Sequence, residues 1–246
     1  TLESDQDGLV IGAATGGTAA LGRHVYAAEV GWATARGRPD WQVAYAYDRW
    51  RPTFFANIAD DTDPWRDGEI RTREGNAGVL YPIRRVRWSQ SILGAIHSSV
   101  EQFSCACAAD SGARVTRRSL RAGWLVDDSR SYGYSISRED GWNGTLTSEF
   151  TREALGADDN GQAMTLDLRG YFPVIPRHAV VAARVAGAAS WGDLVVRRQF
   201  SASGSGPQLL GFDFGSDAIG LLRGVDEDAI VGTRAAVVNV DYRFPL

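Results

Sequence analysis

The sequence contains no lysine; all 26 of its basic residues are arginines. Guanidinium stays charged in any surroundings and presents its donors as a rigid fork, which suits fixed ion pairs inside a structure. GC-rich coding would produce the same bias. A net charge of −4, with no basic face accumulating, argues against a nucleic-acid partner. Cysteine is nearly absent as well. Cys105 and Cys107 stand in a Cys-Ala-Cys spacing, too close for an unstrained disulfide and without the second pair a zinc site needs. No apolar run reaches the roughly 18 residues of a transmembrane helix. The nearest candidate, 179–191, is interrupted by Arg184. The Gly-rich stretch 12–17 has no lysine to make it a phosphate loop. Thr1 is not an initiator methionine and no signal-peptide pattern follows it, so the sequence reads as processed or as an excerpt.

What remains is rich in glycine (28 residues) and aromatics (10%), a β-type composition. The last stretch shows the pattern most clearly. Ala236, Val238, Val240, Tyr242 and Phe244 fall on one side of a two-residue period. Ala235, Val237, Asn239, Asp241 and Arg243 fall on the other. A period of two with opposite polarities is a strand between an apolar phase and a wet one. The same alternation recurs upstream. Trp41, Val43, Tyr45 and Tyr47 oppose Gln42, Ala44 and Ala46; Ile92 and Ile96 oppose Ser91 and His97. Leu120 and Trp124 oppose Ser119 and Arg121; Trp142, Leu146 and Phe150 oppose Asn143, Thr145, Thr147 and Glu149. Met164, Leu166, Leu168 and Phe172 oppose Thr165, Asp167, Arg169 and Tyr171, and Val181, Val185 and Trp191 oppose Arg184 and Ser190.

About eleven strands result, most near the ~10 residues that a tilted strand needs to cross a bilayer. A soluble sandwich would pack its apolar face with large aliphatics and show its charges to water. Here the apolar faces are modest, with aromatics toward the strand ends, and the opposite faces mix arginine with carboxylates and amides, as a wet lumen would. The expected fold is an all-β, antiparallel transmembrane β-barrel, incomplete in this sequence. A soluble β-sandwich or propeller is the competing architecture. Turns at 49–52, 82–85 and 173–177 are short, while the connections 60–69, 103–112 and above all 192–231 read as longer loops. Short turns at one end and long loops at the other are the outer-membrane arrangement; the long connection 129–140 is the exception.

At Leu222-Arg-Gly-Val225, ahead of Val237-Val-Asn-Val-Asp-Tyr-Arg-Phe-Pro-Leu246, the sequence resembles the bacterial surface antigen family, the BamA- and TamA-like outer-membrane assembly and translocation barrels. Trp50-Arg-Pro-Thr-Phe54 and Val79-Leu-Tyr-Pro82 are similar to the branch in which the barrel follows a TolB-type propeller. The resemblance implies that 192–231 is an extracellular motif loop folded into the lumen, carrying Arg223, Gly224 and Val225. Val225 departs from the aromatic usual at that place. Asp241, Asn239, Asp167 and Glu149 are inward-facing candidate partners for the loop arginine, beside Arg169 and Arg184. It also implies a sixteen-stranded barrel, of which this sequence would lack the first strand and the last four. The implied role is assembly, insertion or translocation of polypeptides in the bacterial outer membrane. Its partners would be outer-membrane lipid and unfolded or nascent polypeptide clients. A passive pore or structural barrel is the alternative. No catalytic activity, cofactor or metal is expected. Asp60-Asp-Thr-Asp63 with Asp67 and Glu69 could offer oxygen ligands to Ca²⁺, but the spacing is not that of an EF-hand and a solvated acidic loop is the simpler reading. His97 near Ser89 and Ser91 lacks a nucleophile elbow and a placed acid, and reads as a polar lumen residue.

Overall fold

The structure is a computed structural model that describes residues 2–5, 8–34, 37–65, 68–105, 112–133, 135, 137–175, 178–201, 211–215, 220 and 230–244. Its strands are β1 (Leu2–Asp5), β2 (Gly8–Thr18), β3 (His24–Ala33), β4 (Asp40–Tyr47), β5 (Thr53–Trp65), β6 (Gly68–Arg84) and β7 (Ser89–Cys105). They continue with β8 (Arg114–Asp127), β9 (Gly141–Thr151), β10 (Gly161–Val174), β11 (Ala179–Gly192), the two-residue β12 (Phe200–Ser201) and β13 (Val231–Gly232), and β14 (Arg234–Arg243). β1 to β11 and β14 form one 12-stranded sheet in chain order, while β12 pairs with β13. Among the described residues no helix is long and apolar enough to cross a membrane, which leaves crossing by strands open.

The chain divides into two compact units: Thr1–Tyr81 with Gly94–Leu120 and Thr151–Asp159, and Pro82–Leu93 with Arg121–Phe150 and Asn160–Leu246. In each, there are strands whose polarity is inverted relative to a water-soluble protein. In the second unit Val238 and Val240 are each 68% exposed, whereas Asn143, Glu149 and Arg184 on the opposite faces of their strands are 0%, 3% and 6% exposed. In the first unit Ile96 is 61% exposed and its neighbour His97 4%. Strand geometry sends successive side chains to opposite faces, so the sequence alternation becomes an apolar exposed face and a polar buried one. Aromatics gather toward the strand ends. His24, Tyr47, Trp50 and Phe54 form a chain of ring contacts with centroids 4.9 to 6.1 Å apart.

The expected count of about eleven strands holds to within one, and three sequence expectations are corrected. The sheet has twelve strands, because Leu2–Asp5 adds an antiparallel partner to β2. Within the acidic stretch 60–69, residues 60–65 and 68–69 are strand and not loop. The ladder runs unbroken from Asp60↔Arg73 to Trp65↔Gly68. The carboxylate of Asp60 is held by Arg71 Nε at 2.6 Å and Arg73 Nε at 3.0 Å, so cross-strand cations neutralise the acid that would otherwise disfavour pairing. Pro82 to Arg84 still belong to β6, and the chain reverses at 85–88, where Arg85 N donates to Trp88 O. Phe103 to Cys105 likewise end β7 instead of opening a loop; Cys107 lies outside the described residues. The contrast in connection length therefore rests mainly on 193–233.

A loop-covered polar face as the candidate functional site

Residues of four strands, β8 to β11, supply the wall of the site in the second unit. β10 and β11 are antiparallel, with Arg169 opposite Arg184 and Asp167 opposite Ala186. Alternation puts Asp167, Arg169 and Arg184 on the polar face, and the register lets one carboxylate serve two guanidiniums. Arg184 donates to Asp167 Oδ2 from Nε at 3.0 Å and Nη2 at 2.9 Å. Arg169 donates to Oδ1 from Nε at 3.1 Å and to Oδ2 from Nη2 at 2.8 Å. Such forked, charge-assisted bonds are about twice as strong as neutral ones. Their burial makes the pairing obligatory, since removing one partner strands the other charge away from water.

The segment after β11 is laid against this wall. The remaining Arg184 donor, Nη1, reaches Gly220 O at 2.9 Å. Glu149 of β9 accepts from Arg198 Nε at 2.7 Å and Nη2 at 3.2 Å, and Arg121 of β8 lies 3.5 Å away. The Arg121 guanidinium in turn sits over the Phe214 ring, 4.8 Å from its centroid, a cation–π contact. Phe212 packs where Gly123 has no side chain; a Cβ there would collide with the ring. Thr147 Oγ1 lies 2.6 Å from Thr165 Oγ1 and 3.4 Å from the Asp213 carbonyl. Phe200, 1% exposed, packs with Ala163, Ala186 and Ala188, whose small side chains leave room for a ring. At the base, Phe200↔Gly232 and Ser201↔Val231 pair as β12 and β13, and Ser190 N donates to Thr233 O.

Four of the residues read from the sequence, Asp167, Glu149, Arg169 and Arg184, thus line one loop-covered wall. Asn239 stands opposite Arg184 in the β11–β14 ladder and is half-buried. Arg243 Nη2 donates to Asp241 at 3.4 Å. Arg223, Gly224 and Val225 lie outside the described residues. Sequence reading missed Arg198, Arg121, Phe200, Phe212, Phe214 and Gly123. The available signal was composition: a long surface connection is ordinarily polar, and this one carries Arg-Arg-Gln-Phe at 197–200 and Phe-Asp-Phe at 212–214. In the first unit, His97 Nδ1 lies 2.8 Å from Asn76 Oδ1, which satisfies it as an interior polar side chain.

These features define a class: an antiparallel sheet in chain order with an exposed apolar face and, in the second unit, a buried polar face on which the described parts of a long connection lie. The chain is similar in fold to the crystal structure of BamA from Haemophilus ducreyi lacking POTRA domains 1–3, with 14% sequence identity and a TM-score of 0.58. The match covers 82% of this chain and 43% of that one, so the chain spans less than half the length of that structure. No family model and no curated protein matches the sequence. The fold is that of a BamA-type barrel, and the likeness carries the fold alone.

Proposed function

We propose that the chain is the barrel portion of a bacterial outer-membrane protein that assembles, inserts or translocates polypeptides, with segment 193–233 bracing the lumen. The observation that carries this reading is the docking of that segment onto buried ion pairs, through Arg198 on Glu149 and Gly220 on Arg184, beneath an exposed apolar sheet face. A bilayer accepts such a face where water would not, because backbone groups are satisfied strand to strand and the charges turn inward. Unpaired strand edges would template a client strand by β-augmentation.

The test is insertion of the chain into lipid vesicles, followed by the rate at which an unfolded outer-membrane protein folds into the same vesicles. Acceleration that is lost in Glu149→Ala, with the variant still membrane-inserted, supports the reading. The covered polar face also favours low conductance in planar bilayers. A large steady current together with no effect on client folding would replace the assembly role by a passive pore.

A further inference from the structure

We propose that the apolar face of the sheet carries a binding groove for an anionic phospholipid, with one acyl chain along the groove and its phosphate on Arg118. The inference rests on the reading of that face as bilayer-facing. In the first unit Ala56 is paired with Ala77, and Ile58 with Gly75, across β5 and β6. These small residues form a floor beneath the larger Ile58, Ile96 and Leu120, and Leu155 joins the lining. The resulting groove has a volume of about 450 Å³, within the roughly 300–1,000 Å³ of small-molecule sites.

Arg118 lines the same groove. It is two residues from Leu120 in β8, so both side chains leave the same face, and both are exposed. A cation beside an apolar groove calls for a counter-charge. The surrounding backbone holds it in place. The connection after β9 is pinned to β8 by Asp158 N on Thr116 O at 3.0 Å, Thr116 N on Asp158 Oδ2 at 2.6 Å and Arg152 N on Arg118 O at 3.3 Å. Arg118 Nη1 donates to Leu155 O at 3.3 Å. Gly156 follows at φ 90°, so close that a Cβ would strike the guanidinium. Arg71, Arg117 and Arg184 each sit on a carboxylate, whereas Arg118 pairs with none among the described residues. A positioned fork with open donors beside an acyl-sized trough matches a phosphate with a fatty chain attached.

The experiment is native mass spectrometry of the full chain refolded in detergent and titrated with phosphatidylglycerol or, in parallel, with zwitterionic phosphatidylcholine. The expected result is about tenfold stronger retention of phosphatidylglycerol, the equivalent of one good charge-assisted contact. Arg118→Gln should erase that preference. Ala77→Phe, which fills the groove and leaves the charge, should lower retention of phosphatidylglycerol to the control level. Equal retention of the two lipids, or a preference that survives both substitutions, overturns the groove. A chain that takes up neither detergent nor lipid overturns the membrane reading itself, an outcome distinct from insertion without preference.

Discussion

Two walls of the same sheet, β2–β4 and β9–β11, obey one alternation and end in different states. On β9–β11 the polar face is buried: Glu149 is 3%, Asp167 7% and Arg184 6% exposed. On β2–β4 the corresponding face is largely exposed and chemically plain. Ala27 faces Ala44, Gly16 faces Ala27, and the charged contact there is an exposed hydrogen bond from Gln42 Nε2 to Glu29 at 2.9 Å. The difference lies in what covers each wall. The connection 193–233 lays Arg198 and Phe200 on the former, and Phe212 and Phe214 on Gly123 and Arg121 of the adjoining β8. Period-two patterning therefore sets which way a side chain points, while dense ion pairing marks the wall that must receive a loop.

Substitutions can break that comparison. The largest effect is expected from Asp167→Ala, which leaves Arg184 buried and Arg169 half-buried without their carboxylate. Losing one partner of a buried pair costs about 3–5 kcal/mol, read as a lower urea midpoint and as protease cleavage within 193–233. A cleavage pattern identical to wild type would show that the wall does not hold the segment. Next comes Gly123→Val, which drives a side chain into Phe212. Overpacking costs about 1–3 kcal/mol, and adding Phe212→Ala should recover most of the loss in a double-mutant cycle. The smallest effect belongs to the other wall. Glu29→Ala removes an exposed contact and should leave the unfolding midpoint unchanged within error; a shift as large as that of Asp167→Ala would abolish the distinction between the walls.

The legibility of the site followed the same division. Glu149, Asp167 and Arg184 stood out in the sequence because each places a charge in a strand made mostly of uncharged residues, at a position whose parity sent it to the polar face. Asp241 has the same parity, and its contact with Arg243 two residues on is a local one that parity does not reveal. The stretch 60–69 misled because five acids close together resemble a solvated loop; Arg71 and Arg73, which neutralise Asp60 and let the strands continue, sit across the ladder.

From the residues alone came the element type, the facing of each side chain and the inverted polarity, since all three depend on neighbours one or two positions away. The choice of Arg198 for Glu149, 49 residues distant, and of Gly123 as the seat for Phe212 came with the folded chain. A loop has no period to read, and its partners are set by the register of strands and by the space their small residues leave.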